Sequence, residues 1–167
     1  SEKLIARLLK ERKETIYVAT KAGRKLDPHV AEKYTPQNIR RFVDDSLKNL
    51  ELQTLDLPQL HCPPTAVLGQ EATYDALDTL GQEGRITAYG VSVETVDEAL
   101  TAIARPHVAS IQIILNVFRR KPLERVLPEA AAAFLATGAE SIVFESVHAL
   151  CGQPAPELAT RIRALRV

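Results

Sequence analysis

The sequence predicts a parallel α/β fold made of consecutive strand–helix units. Short β-branched runs alternate with longer segments whose apolar residues recur at helical spacing. Parallel neighbours need a long crossover, which a helix after each strand supplies. With 167 residues, 46% of them hydrophobic and 25% charged, the chain has the size and makeup of one globular domain.

The elements follow in order. Ser1–Arg12 places Leu4, Ile5, Leu8 and Leu9 at helical spacing, with Ser1 as a candidate N-cap. Thr15–Thr20, TIYVAT, is β-branched and aromatic and reads as a strand. A polar loop runs to Tyr34. Thr35 then caps a helix with Pro36 in its first turn and Ile39, Phe42, Val43, Leu47 and Leu50 on one face. Strand Thr54–His61 leads through the loop Cys62–Pro64 to a helix over about Gln70–Glu83. Pro58 removes a backbone donor from that strand, which argues for a disruption or an edge position. Strand Ile86–Ser92 precedes a helix over Val96–Ala104, and strand Ser110–Asn116 precedes one from Pro122 to Leu135 that includes the run Ala130–Ala133. Strand Glu140–Glu145 and a helix near Glu157–Leu165 complete five strands.

Five strands do not close an eight-stranded barrel. The alternatives are an open five-stranded sheet or an incomplete barrel of the TIM type, whose two exposed edges invite self-association into a homo-oligomer.

Composition excludes several functions. The formal net charge is +0, so nothing draws the whole chain to nucleic acid or an anionic membrane. The basic clusters Lys10–Lys13, Arg119–Lys121 and Arg161–Arg166 read as solvated helix faces. No apolar run approaches the length of a membrane span, and no signal peptide opens the sequence. Cys62 and Cys151 lack metal-ligand spacing, and His29, His61, His107 and His148 are scattered, so no metal site is expected. Reduced thiols point to the cytoplasm. The start at Ser1 and the absence of methionine are read as marks of a segment from a longer product.

In parallel α/β folds, chemistry gathers at the carboxyl ends of strands. Those ends carry Lys21, His61, Ser92, and Gln112 with Asn116. Residues two apart share a face, so Lys21 goes with Ala19, His61 with Gln59 and Leu57, and Ser92 with Gly90. The polar ends are therefore able to converge on one mouth. Glu145, Ser146 and His148 read as capping or turn residues, and Gly81 and Gly84 as helix-end punctuation.

At these residues a resemblance emerges. IYVATKAGRKLDP resembles the aldo/keto reductase strand that ends in the catalytic lysine, here Lys21, and LDLPQLHCPP the strand that ends in the catalytic histidine, here His61. YGVSVE and IQIILNVF resemble the strands whose polar residues hold the nicotinamide carboxamide, here Ser92 and Gln112, while Val93 stands where many members have asparagine. The resemblance covers residues 1–132, leaving 133–167 as a divergent tail of the same domain with no recognised cofactor motif. It implies a barrel enzyme that reduces a small carbonyl substrate with NADPH or NADH. The family's chemistry also uses an aspartate and a proton-donating tyrosine. Tyr17, Tyr34, Tyr74 and Tyr89 do not match that motif, so the chain is expected to have impaired or no turnover and weakened cofactor binding. Two other readings stay open: a non-catalytic fragment associating through its sheet edges, and a lyase using Lys21 as a Schiff-base amine.

Overall fold

A computed structural model describes residues 1–116 and 118–136. Helix α1 (Glu2–Glu11) is followed by β1 (Ala19–Ala22), α2 (Pro36–Leu50), β2 (Leu57–His61), α3 (Glu71–Gln82), β3 (Tyr89–Val93), α4 (Val96–Ile103), β4 (Val108–Ile113), α5 (Lys121–Glu124) and α6 (Val126–Ala136). Among the described residues, four strands form a sheet in the order β1-β2-β3-β4, with β1, β2 and β3 parallel. The expected (β/α) alternation is therefore present in an open sheet. The fifth strand at 140–145, the helix at 157–165 and residues Glu145, Ser146, His148 and Cys151 lie outside the described residues.

The described residues form two compact units, one of Ser1–Ser92 with His107–Ile111 and one of Val93–Pro106 with the described residues from Gln112 onward. In the first, α2 buries Ile39, Val43, Leu47 and Leu50, while Phe42 is only half-buried under the Arg41 guanidinium. Leu60 of β2, Leu77 and Leu80 of α3 and Val91 of β3 complete a closely packed apolar core. Leucine-sized side chains in such sites each contribute about 1.5–3 kcal/mol by burial. β3 is buried at every residue, as a parallel strand covered on both faces must be.

Local chemistry explains the boundaries. Thr35 caps α2 as expected, its Oγ1 accepting from the Asn38 N–H at 3.3 Å, with Pro36 behind it. Ser1 occupies the N-cap of α1 but makes no side-chain cap. That helix docks instead through Glu2, whose carboxylate accepts from Thr20 Oγ1 (2.5 Å), Ser46 Oγ (2.7 Å) and Asn49 Nδ2 (2.9 Å), while Leu4 and Leu8 remain exposed.

β1 starts later than its propensity suggests, because its first aligned partner is Leu57, opposite Ala19. Upstream, Tyr17 is exposed and the Val18 N–H turns to the Asp56 carboxylate. Pro58 is not at an edge, since β2 lies between β1 and β3. It falls after the isolated Leu55–Ile86 bridge and just before the β2–β3 ladder, which opens at Gln59 opposite Gly90. Pro58 is aligned with Thr20 of β1, and its missing N–H falls in the gap between that bridge and the β3 ladder.

In the second unit, the single helix expected over 122–135 is two. Arg125 separates α5 from α6, which places Pro128 in the first turn of α6, where no intrahelical N–H is needed. Thr95 and Glu98 close a capping box on α4. No helix among the described residues is long and apolar enough to cross a membrane.

Candidate active site

The strand register arranges three of the four expected site residues on two rungs. Lys21 of β1 is level with Gln59 of β2, and Gln59 is level with Gly90 of β3. His61 and Ser92 are level with each other, two residues nearer the carboxyl ends. Because residues two apart face the same way, both rungs present side chains to one face of the sheet. The strand rise separates them by roughly 6–7 Å along the backbone. Lys21 therefore enters one step below His61 and Ser92 rather than beside them.

On the lower rung, the half-buried Lys21 donates from Nζ to Gln59 Oε1 at 2.6 Å. Gln59 is itself buried and donates from Nε2 to Ser110 Oγ at 2.5 Å. This contact passes over Gly90: a Cβ there would lie 2.6 Å from both the Ser110 carbonyl oxygen and its Oγ. Sequence reasoning placed Gln59 on the face of His61 but gave it no function. A polar residue pointing inward from a central strand was the available signal.

On the upper rung, His61 is half-buried, and its pKa is lowered from its usual value. Burial is the main cause, followed by the positive charges of Lys21, Arg24 and His29. Near neutral pH the ring is held uncharged, suited to giving or taking a hydrogen bond. Ser92 is buried, and its Oγ lies 3.5 Å from Cys62 Sγ. The Cys62 N–H bonds the Ser92 carbonyl at 2.9 Å, with Cys62 in a left-handed backbone conformation (φ 43°) at the strand exit. Sulfur is a weak partner, so the Ser92 hydroxyl keeps capacity for a ligand amide.

Gln112 is half-buried on β4 in the second unit. Asn116 serves a turn: its Oδ1 accepts from the backbone N–H groups of Phe118 (2.9 Å) and Arg119 (3.0 Å). Such local capping is what asparagine does readily where a strand ends.

The tyrosines have other engagements. Tyr34 is buried, its hydroxyl 2.8 Å from His29 Nε2, and burial pushes its pKa up to about 12. Gly23 (φ 100°) passes so close that a Cβ would sit 2.6 Å from the Tyr34 hydroxyl. Tyr89 begins β3, at the opposite end from Ser92, and donates to Asp78 Oδ1 at 2.8 Å; burial raises its pKa further still. Tyr74 is buried in α3, and Tyr17 precedes β1 on the surface.

The aldo/keto reductase family model matches residues 1–148. The aldo-keto reductase YhdN of Bacillus subtilis is 32% identical over 135 residues, which are 78% of this chain and 40% of that protein. Among solved structures, the glycerol dehydrogenase AKR11B4 of Gluconobacter oxydans aligns with a TM-score of 0.65 at 26% identity, covering 98% of this chain and 57% of its own. An aldo/keto reductase from Klebsiella pneumoniae, solved with NADP and acetate, shares the fold at a TM-score of 0.64 and 19% identity, over 79% of this chain and 44% of that one. The 167 residues thus span well under two thirds of these relatives.

Proposed function

The chain belongs to the aldo/keto reductase family, and from that premise we propose that it carries the middle of a carbonyl-reductase site, with Lys21 and His61 as catalytic side chains and Ser92 and Gln112 as contacts of a nicotinamide carboxamide. The observation that carries this reading is the pair of aligned rungs, Lys21 with Gln59 and His61 with Ser92, on one face of parallel strands.

A hydroxyl and a primary amide are each able to pair with a carboxamide, so Ser92 of one unit and Gln112 of the other are each candidate contacts for the nicotinamide end of NADPH or NADH. Bound there, the reduced nicotinamide supplies the hydride. As negative charge grows on the carbonyl oxygen, the uncharged His61 ring donates a hydrogen bond to it and orients the substrate. The Lys21 cation favours ionisation of a phenol brought beside it, which makes that phenol a better proton donor. None of the four tyrosines has the matching motif, and Tyr34 and Tyr89 are already hydrogen-bonded elsewhere. We therefore expect little or no turnover from these 167 residues alone, and weak nucleotide binding, because the described residues offer candidate contacts only for the nicotinamide end. The substrate class is a small carbonyl compound.

NADPH titration followed by amide NMR tests the site. Shifts are expected at Val91–Val93 and Ile111–Ile113, and the Ser92→Val variant should lose them. Perturbations elsewhere, or none at millimolar nucleotide, would overturn the assignment. Robust carbonyl-dependent oxidation of NADPH that disappears in Lys21→Ala would refute the expected inactivity.

A second reading rests on the strand order, in which β1 and β4 each have one neighbour among the described residues. Pairing of such edges would give a homo-oligomer. Sedimentation over a range of protein concentrations decides this, and a monomer throughout excludes it.

A further inference from the structure

We propose that Gln59 is a positioning residue for Lys21, anchored from the far side by Ser110 across Gly90. The inference rests on the reading of Lys21 as catalytic and adds a residue to which neither the sequence nor the family resemblance assigned a role. A lysine side chain has four rotatable bonds, so a cation delivered from β1 needs a fixed acceptor to hold one position. The Gln59 carbonyl oxygen is that acceptor, 2.6 Å from Nζ.

An amide fixes a partner only if it is fixed itself. Gln59 is 5% exposed, and its Nε2 donates to Ser110 Oγ at 2.5 Å. The ammonium, which only donates, settles which end of the amide faces it: oxygen faces the lysine, and nitrogen turns to the Ser110 hydroxyl, which accepts. Gly90, level with Gln59 on the intervening strand, leaves the room for Ser110 to approach. Lys21, Gln59 and Ser110 thus form a hydrogen-bonded chain crossing from β1 to β4, all within one compact unit. A neutral acceptor suits the task, because it holds the cation without neutralising the charge that acts on the phenol.

The test reads the reactivity of Lys21 directly, by the rate of acetylation with a limiting amine-reactive ester at pH 8. The full chain is used, with peptide mass spectrometry and exposed Lys48 as the internal reference. Only the neutral amine reacts. Gln59→Leu removes an acceptor that favours the ammonium and should speed Lys21 labelling roughly tenfold, as expected for a hydrogen bond to a charged group. Gln59→Glu strengthens the acceptor and should slow it by a similar factor. Ser110→Ala should speed labelling by roughly threefold in the parent chain and add nothing in the Gln59→Leu background, since residues in one network are not additive.

Mere loosening of the fold would speed Lys21 in both Gln59 variants, and that result overturns the proposal. So do unchanged rates, or additive effects of Ser110→Ala and Gln59→Leu. Should Gln59→Glu fail to fold, the Ser110→Ala and Gln59→Leu cycle decides alone. Failure of NADPH to bind, with this labelling pattern intact, would strike the carbonyl-reductase reading alone. A flat pattern with nucleotide bound would strike only the role of Gln59.

Discussion

Replacing Gly90 with alanine is a one-carbon change whose consequences follow from three distances. The new methyl would lie 2.6 Å from the Ser110 carbonyl oxygen, 2.6 Å from its Oγ and 3.0 Å from its Cβ. These separations fall well inside van der Waals contact, so β4 must move away from β3 or Ser110 must turn. Overpacking of this kind costs about 1–3 kcal/mol. Either adjustment also breaks the bond from Gln59, leaving a buried amide donor unpaired for about another 1–3 kcal/mol. The combined loss is about 2–6 kcal/mol, a large fraction of the stability of an ordinary domain. Urea unfolding followed by far-UV circular dichroism reads it: with a slope of about 2 kcal/mol/M, the midpoint should fall by at least about 1 M. Ser110→Ala alone should cost about 1–3 kcal/mol, because it leaves the same buried amide donor unpaired. In the double variant the clash with the Ser110 backbone oxygen persists, so Gly90→Ala should still destabilise strongly when Ser110 is already alanine. Full tolerance of alanine in that background, or a Gly90→Ala midpoint matching the parent, would refute the reasoning.

Two further outcomes concern protonation. NMR titration of the His61 ring should give a midpoint below 6.5; Lys21→Ala or Arg24→Ala should raise it only partway, because burial is the larger cause. A histidine with a lowered pKa contributes stability that is present above 6.5 and lost as pH falls through the folded value, so acid should erode the fold on that side. Tyr34 acts in the opposite sense. Its pKa rises from 10 to about 12, so its contribution is complete below pH 10 and is lost as pH climbs through about 12. Unfolding at pH 9 and at pH 11 should show a smaller loss in Tyr34→Phe than in the parent; equal losses would show that Tyr34 does not govern this limb.

What the sequence disclosed, and what it withheld, follows physical lines. The start of α2 was legible because Thr35 and Pro36 act locally, through one hydrogen bond and one fixed dihedral. The placement of Lys21, His61 and Ser92 toward the carboxyl ends of strands was legible because strand ends follow from β-branched runs. The beginning of β1 was not, since Ile16 and Tyr17 have strand propensity but only register with β2 decides which residues pair. The break at Arg125 was concealed by continuous apolar spacing, although Pro128 was a warning. Pro58 misled for a related reason: its cost depends on which rung lacks the donor, and that is a property of the neighbouring strand. The bond from Gln59 to Ser110 lay furthest from view. It joins residues 51 apart in the sequence and exists only where a glycine on a third strand makes room.

That crossing has an evolutionary side. Positions 59 and 110 are expected to vary together, since one hydrogen bond joins them across the glycine at 90. A side chain at 90 pushes against the serine at 110, and loss of that serine frees the amide at 59, while the backbone oxygen at 110 requires the glycine whatever stands at 59. Lineages that keep a glutamine beside the lysine are expected to keep the glycine and the hydroxyl as well. Those that abandon it are expected to be free to change the hydroxyl, while the glycine stays tied to the backbone of the fourth strand.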